Sequence, residues 1–239
     1  MRASAVLFDL DGVLTPTARL HMRSWAETFQ AAFAAHGLTP PYGDADYYAE
    51  VDGRPRYDAV DAVLRGRGLV LPWGSPEDPD DADTVCGIGN RKNERFEALL
   101  TREGIAPYPD ALDALEAVAA AGIPTAVVSS SRNARGVLAA AGIEDRFGTI
   151  VDGEVSAREH LRGKPAPDGF LHAASLLGVA PAEAIVAEDA IAGVEAGRAG
   201  GFGLVLGVDR GAGEAALRRA GADRVTTSLS VIRELLADA

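Results

Sequence analysis

Short apolar runs alternate with helical segments along the carboxyl-terminal part of the chain, and this alternation limits the possible folds most strongly. Each run after residue 107 has three to five residues, and amphipathic stretches ended by glycine or alanine lie between them. Such strand–helix alternation favours parallel strands joined by right-handed crossovers. The sequence predicts an α/β fold with a doubly wound parallel sheet and a Rossmann-like core. The predicted strands are 4–8, 125–128, 149–151, 184–187, 203–207 and 224–226.

A long helical segment separates the first predicted strand from the others. Apolar residues recur at helical spacing through 17–36, and Gly37 is placed to end that helix. More helical stretches follow, interrupted by a Pro- and Asp-rich loop at 72–81, and the last of them is predicted over 91–100. We therefore expect two domains. The catalytic core comprises 1–16 and 98–239, and an all-helical cap domain comprises 17–97.

Composition narrows the classes of partner. The 239 residues include 35 acidic and 23 basic side chains, a net charge of −12, which disfavours nucleic acid and anionic membranes as partners. Cys86 is the single cysteine, so an intrachain disulfide is excluded and a reducing cytoplasmic location is expected. No apolar run approaches the roughly 18 residues of a membrane span. We expect a monomer that acts on a small molecule.

Polar residues follow several of the predicted strands. Parallel strands place their carboxyl ends at one edge of the sheet, where ligands bind in such folds. Two carboxylates follow the first strand, a serine follows 125–128, an acidic pair ends 184–187, and a lysine precedes a helix. These residues are Asp9, Asp11, Ser129, Glu188, Asp189 and Lys164.

This set of groups is suited to phosphoryl transfer. Clustered carboxylates need a cation between them to ionise together, and oxygen ligands suit Mg²⁺. One aspartate can attack phosphorus, and a second can move the proton of the leaving oxygen. Lys164 and Ser129 can hold the phosphoryl oxygens. An isolated Asp-x-Asp-Gly is more typical of a turn or a helix cap, so the prediction depends on the joint occurrence.

The same residues resemble the four motifs of a known superfamily. Residues 8–15 (FDLDGVLT), Ser129, the 163–165 segment (GKP) and the 188–189 pair are similar to the motifs of the haloacid dehalogenase superfamily. The helical insertion resembles the small cap of its β-phosphoglucomutase-like branch. The resemblance implies that Asp9 is the nucleophile and Asp11 the general acid/base. It also implies a Mg²⁺ site formed by Asp9, Asp11, Glu188 and Asp189, with Asp11 using its carbonyl oxygen.

The resemblance extends to residues that would bind the substrate. In the cap, Thr17, His21 and Trp25 match the hinge and the first helix. Gly53 and Arg56 match a phosphate-binding loop, and Lys92 matches a helix that faces the sugar. Each of these cap residues also has a simpler structural explanation. His21 and Lys92 can be solvated helix residues, Trp25 can be part of the cap core, and Arg56 can be a surface charge. Ser131 and Asn133 extend the Ser129 motif. The implied substrate-binding residues are Thr17, His21, Trp25, Gly53, Arg56, Lys92, Ser129, Ser131, Asn133 and Lys164.

Three functions follow as hypotheses. The first is a Mg²⁺-dependent phosphosugar mutase of carbohydrate metabolism that interconverts β-D-glucose 1-phosphate and glucose 6-phosphate through an aspartyl-phosphate and a 1,6-bisphosphate. Such a mutase needs a second anion site, for which Arg56, Ser131 and Asn133 are the candidates. The second is a phosphatase acting on a sugar phosphate or another small phosphomonoester. The third, a non-catalytic sugar-phosphate-binding protein, predicts loss of catalytic residues, but both Asp9 and Asp11 are present.

Overall fold

The computed structural model describes residues 3–52 and 54–237. The chain forms two compact units. The core unit comprises Met1–Pro16 and Ile105–Ala239, and the cap unit comprises Thr17–Gly104. The second boundary lies at Gly104, seven residues beyond the predicted position, because one helix continues without a break through Glu103.

The cap unit is helical. Its α-helices are α1 (Ala18–His36), α2 (Asp44–Asp46), α3 (Arg56–Gly66) and α4 (Val85–Glu103), with a π-helical turn at Tyr47–Val51. Gly37 ends α1 with φ of 62°, a left-handed conformation that glycine adopts without strain. α1 and α4 pack against each other, and the rings of Trp25 and Phe29 stack at 5.1 Å in the cap core.

The core unit contains a six-stranded parallel sheet, and this confirms the predicted α/β fold class. The strand order is β3-β2-β1-β4-β5-β6. Because β2 and β4 flank β1 on opposite sides, the chain changes direction at β1, which is where ligands bind in open parallel sheets. The strands are β1 (Ala5–Phe8), β2 (Thr125–Val128), β3 (Thr149–Val151), β4 (Ala184–Glu188), β5 (Leu204–Val208) and β6 (Arg224–Thr226).

In the described part of the core unit, seven α-helices accompany the sheet. They are α5 (Pro109–Ala120), α6 (Ala134–Ala140), α7 (Gly153–Arg158), α8 (Asp168–Leu177), α9 (Ile191–Ala199), α10 (Glu214–Ala220) and α11 (Val231–Ala237). The helical pattern of the sequence predicts helices over 110–121, 134–141, 167–177, 191–199 and 214–220, which correspond to α5, α6, α8, α9 and α10. It does not predict α7 or α11. Of the helices in the described residues, none is long and apolar enough to cross a membrane.

Candidate active site

Asp9 is the first residue after the central strand β1. Its backbone N–H donates to the carbonyl of Ala187 on β4 at 2.9 Å, which extends the strand pairing and fixes where the side chain begins. The residue is only 6% exposed. Burial raises the pKa of the Asp9 carboxyl well above its ordinary value, whereas the Lys164 ammonium acts in the opposite direction.

Lys164 lies between two carboxylates. Its Nζ donates to Asp9 Oδ1 and to Glu188 Oε1, both at 2.5 Å, and to the carbonyl of Val128 at 3.1 Å. These three acceptors match the three donors of an ammonium group. The ring of Phe170 lies 5.1 Å from Nζ. Burial lowers the pKa of Lys164, but the two carboxylates outweigh it and the pKa lies above its ordinary value. Lys164 therefore carries its charge here.

Three carboxylates lie close enough together to hold a metal ion. Ligand atoms of Asp9, Glu188 and Asp189 lie within 4.8 Å of one another. Glu188 is buried, and its other oxygen accepts from the backbone N–H of Ala190 at 2.9 Å. Three hard oxygen donors of this kind suit Mg²⁺. The structure thus provides a group of acidic side chains that can bind a divalent cation.

Two glycines leave the space that these carboxylates occupy. A Cβ atom at Gly193 would overlap the Glu188 carboxylate, and one at Gly12 would overlap that of Asp189. Gly12 also has φ of 92°, a conformation that side chains rarely allow. The sequence analysis did not recognise Gly193. A glycine near the start of an otherwise regular helix is a usable signal, because glycine is unfavourable there without a packing reason.

Asp11 and Ser129 are the next two residues of the site. Asp11 is on the turn after β1, which is closed by a hydrogen bond of 2.8 Å from the Gly12 N–H to the Thr15 carbonyl. The Ser129 hydroxyl donates to Asp11 Oδ2 at 3.4 Å. Ser129 follows β2, and its N–H donates to the Val151 carbonyl at 3.0 Å. The hydroxyl and the second aspartate are therefore adjacent at the carboxyl end of the sheet.

Ser131 and Asn133 continue from Ser129 in a chain of side-chain-to-backbone bonds. The Ser131 N–H donates to Ser129 Oγ, and the Asn133 N–H donates to Ser131 Oγ, each at 3.1 Å. This pattern fixes the loop that follows β2 and leads into α6. The core unit thus brings together all eight residues that the sequence analysis assigned to it. They are Asp9, Asp11, Ser129, Ser131, Asn133, Lys164, Glu188 and Asp189.

In the cap unit, Lys92, His21 and Trp25 form a cluster. Lys92 Nζ lies 2.6 Å from His21 Nδ1 and lies over the rings of Phe96 (4.8 Å) and Trp25 (5.2 Å). The His21 ring stacks on Phe96 at 4.1 Å. Lys92 is 4% exposed, so the structure excludes a solvated helix position for it. Trp25 is equally buried and forms part of the cap core.

The other predicted cap residues occupy separate places. Thr17 is fully buried, and its carbonyl accepts from the His21 N–H at 2.9 Å in the first turn of α1. Arg56 is the first residue of α3, and its Nη2 donates to Asn93 Oδ1 on α4 at 2.6 Å. Gly53 lies outside the described residues.

Comparison with known proteins finds a matching family profile and similar proteins. The profile of the haloacid dehalogenase-like hydrolases matches residues 3–201. A β-phosphoglucomutase of Mycobacterium bovis is 48% identical over 238 residues, covering 96% of this chain and 91% of the relative.

Two solved structures share the fold over nearly the whole chain. The β-phosphoglucomutase of Clostridium difficile matches with a TM-score of 0.77 and 25% identity, covering 99% of this chain and 98% of that one. The CbbY protein of Rhodobacter sphaeroides, in complex with xylulose 1,5-bisphosphate, matches with a TM-score of 0.72 and 28% identity over 95% of each chain. The sequence resemblance is thereby confirmed: the chain belongs to the haloacid dehalogenase-like hydrolase family and is an enzyme of that family.

Proposed function

We propose that the protein is a Mg²⁺-dependent phosphosugar mutase that interconverts β-D-glucose 1-phosphate and glucose 6-phosphate. The observation that carries phosphoryl transfer is the buried Asp9 carboxylate, held by Lys164 at 2.5 Å, with a second aspartate two residues away. The choice of a mutase is supported by the 48% identity to a β-phosphoglucomutase over 96% of this chain.

Asp9 is the nucleophile in this proposal. One carboxylate oxygen attacks phosphorus and forms the aspartyl-phosphate bond, while the bond from phosphorus to the sugar oxygen breaks. The leaving oxygen needs a proton, and Asp11 supplies it. The Lys164 ammonium favours the ionised form of Asp9 before attack, because its charge opposes the effect of burial on the Asp9 pKa. Ser129 and Lys164 then offer hydrogen-bond donors to the transferring phosphoryl oxygens.

The metal site belongs to the same proposal. Asp9, Glu188 and Asp189, with the Asp11 carbonyl, are the ligands we assign to Mg²⁺, and this set of oxygen donors fits such an ion. Gly12 and Gly193 leave the space that two of these carboxylates occupy. When bound, Mg²⁺ would neutralise charge on the phosphoryl oxygens. Because Lys164 contacts both Asp9 and Glu188, the ammonium and the carboxylates form one charged group around the reacting phosphate.

A mutase returns the phosphoryl group to the sugar. Phosphorylated Asp9 passes its phosphoryl group to the 6-hydroxyl of β-glucose 1-phosphate, and Asp11 accepts the hydroxyl proton. The resulting 1,6-bisphosphate rebinds in the opposite orientation, donates its 1-phosphoryl group to Asp9 and leaves as glucose 6-phosphate. On the sequence resemblance we assign the non-reacting phosphate to Ser131 and Asn133 in the core unit and to Arg56 in the cap unit.

The cap residues are assigned to the sugar and to closure of the site. We assign contact with the sugar to Lys92 and His21, and a hinge role to Thr17. Trp25 acts through packing beneath Lys92, because it is buried in the cap core. Gly53 lies three residues before Arg56 in the sequence and keeps the substrate-binding role that the resemblance implies.

Phosphorus NMR tests the proposal. Purified protein is incubated with Mg²⁺ and β-glucose 1-phosphate, with and without a trace of glucose 1,6-bisphosphate. The proposal predicts glucose 6-phosphate without a matching amount of inorganic phosphate, and faster formation when the bisphosphate is present. Inorganic phosphate as the only phosphorus-containing product would make the enzyme a phosphatase. A matched sample without Mg²⁺ gives the dependence on the metal.

A further inference from the structure

Arg210 connects four segments of the core unit near the carboxyl ends of the strands. It lies two residues after β5, and its side chain is 20% exposed. Its Nε donates to the carbonyl of Gly12 at 3.3 Å, and Nη1 donates to the carbonyl of Thr227 at 3.0 Å. Nη2 contacts both oxygens of Asp110, at 3.0 and 2.8 Å. A planar guanidinium can reach all these acceptors at once, which an ammonium group cannot.

The contact of Arg210 with Gly12 involves the turn that carries Asp11. Gly12 follows Asp11, and its own position decides where the Asp189 carboxylate can lie, since a Cβ there would overlap that side chain. The turn is also closed by the hydrogen bond from the Gly12 N–H to Thr15. The hydrogen bond from Arg210 to the Gly12 carbonyl therefore restrains the peptide plane that follows Gly12 in this turn.

A second set of contacts holds the guanidinium in place. The Cζ atom of Arg210 lies 4.2 Å from the centre of the Tyr108 ring. The Tyr108 N–H donates at 2.9 Å to the carbonyl of Leu14, on the same turn as Gly12. Asp110 also accepts from the Leu229 N–H at 2.8 Å. The Asp110 carboxylate thus has a structural role of its own, in addition to its ion pair with Arg210.

We propose that Arg210 is a positioning residue for phosphoryl transfer, which acts by holding the Gly12 carbonyl and thereby the turn that carries Asp11. This inference rests on the proposed function, because it uses the acid/base role assigned to Asp11. It differs from a purely structural role in one respect. Loss of Arg210 lowers the rate of the chemical step strongly, whereas folding stability and substrate affinity change little.

Four variants separate these roles. Arg210→Met removes every polar contact of the guanidinium. Arg210→Lys keeps a positive charge beside Asp110 but loses the planar group that reaches Gly12. Asp110→Ala removes the ion pair and the acceptor of the Leu229 N–H, yet leaves Arg210 able to donate to Gly12. Arg198→Met is the matched control, because the Arg198 ion pair with Asp223 lies by the start of β5 and is exposed.

Steady-state kinetics and thermal melting are measured for each variant. The substrates are β-glucose 1-phosphate and p-nitrophenyl phosphate, both with Mg²⁺. We expect Arg210→Met to lower kcat about 10- to 100-fold with little change in KM, since small misplacement of catalytic groups costs this much. Arg210→Lys should melt close to wild type but keep much of the kcat loss. Asp110→Ala should lose more thermal stability and less kcat, and Arg198→Met should match wild type in kcat.

The opposite pattern would overturn the inference. If kcat falls only in proportion to the loss of melting temperature, or if Arg210→Lys restores full kcat, Arg210 is a structural residue. The lysine variant gives this answer even if the methionine variant fails to fold. A wild type that hydrolyses p-nitrophenyl phosphate but forms no glucose 6-phosphate refutes the mutase proposal alone, and the Arg210 comparison then uses hydrolysis. A wild type inactive on both substrates overturns the two proposals together.

Discussion

The only two lysines of the chain lie in different units, and the groups that surround their ammonium ends differ. Lys164 in the core unit contacts two carboxylates, both at 2.5 Å. Lys92 in the cap unit contacts an imidazole nitrogen at 2.6 Å and lies over two aromatic rings. Both are buried, so each ammonium group has lost most of its hydration. Two carboxylates compensate for that loss at Lys164, and an imidazole nitrogen and two aromatic rings help to compensate for it at Lys92.

The comparison shows why an arginine-rich chain retains lysine at these two positions. A compact ammonium fits between Asp9 and Glu188 and can donate to each of them. The Lys92 ammonium lies over the faces of two rings while it contacts His21. A planar guanidinium is larger and cannot take either position without displacing neighbours.

The largest expected effect is on turnover and comes from substitution of Asp9, the carboxylate that Lys164 contacts. Asp9→Asn removes the nucleophile and leaves a side chain of nearly the same shape. We expect turnover to fall by at least about 10³-fold, because loss of a nucleophile removes the covalent route. Phosphate release and glucose 6-phosphate formation are both measured, with circular dichroism as the control for folding. Substantial remaining turnover would contradict the assignment of Asp9.

Removal of the core lysine tests the electrostatic half of the comparison. Lys164→Met leaves Asp9 and Glu188 buried beside each other without their cation. We expect the free energy of unfolding to fall by about 3–5 kcal/mol at neutral pH, as for a broken buried ion pair. Urea denaturation measures it.

The pH dependence of that loss gives an independent check. Burial raises the Asp9 pKa in the folded protein, and Lys164→Met removes the ammonium that opposes this effect. A group with a raised folded pKa favours the folded state at low pH and disfavours it as pH rises. The deficit of Lys164→Met should therefore shrink as pH is lowered toward the carboxylate range. A deficit that is independent of pH would contradict the electrostatic account.

Gly193→Ala tests whether the Glu188 carboxylate needs the space beside α9. The added methyl group would overlap that carboxylate, which is fixed by Lys164 and by the Ala190 N–H. We expect a loss of stability of about 1–3 kcal/mol, as for an overpacked site, and weaker Mg²⁺ binding in calorimetric titration.

Gly136→Ala is the matched control for that substitution. Gly136 lies in helix α6, and a Cβ there would have open space. The control should be neutral or stabilise the protein by up to about 1 kcal/mol, because alanine is the better helix former. Equal effects of the two substitutions would show that the space at Gly193 is not specific to Glu188.

Removal of the cap lysine should reduce stability less than removal of the core lysine. Lys92→Met keeps the aliphatic contacts with Trp25 and Phe96 and removes a hydrogen bond and the cation–π contacts. We expect a loss of only about 1–2 kcal/mol, well below that of Lys164→Met. The same urea denaturation measures both variants, so each serves as the control of the other. Equal losses would show that the two lysines are stabilised in the same way.

Much of the core unit could be predicted from the sequence because its signals are local. Five of the six strands are short, mainly apolar runs, and polar residues mark the points where β1, β2 and β4 end. Gly37 ends α1 as predicted, since a left-handed residue is needed there. The Lys164 contact with Glu188 could not be predicted in this way. It depends on how a loop folds over the sheet edge, which no local pattern records.

The start of α4 shows how tertiary packing overrides local preference. The sequence predicts a helix from Arg91, but the helix begins at Val85 and includes Gly87 and Gly89. Glycine is unfavourable in helix interiors. Here a Cβ at Gly89 would lie 2.7 Å from the Tyr57 ring, and one at Gly87 would overlap the Ala82 backbone. The glycines are therefore needed for close packing, although they hide the helix from sequence analysis.

The most direct test of the central claim is chemical identification of the phosphorylated residue. Wild-type protein is mixed with Mg²⁺ and glucose 1,6-bisphosphate, quenched in acid within the first turnover and reduced with borohydride, which converts an aspartyl-phosphate into homoserine. Peptide mass spectrometry then locates the change, with the Asp9→Asn variant as the control. The account predicts homoserine at position 9 in the wild type and none in the variant. A modification at Asp11, or at no aspartate while turnover proceeds, would contradict it.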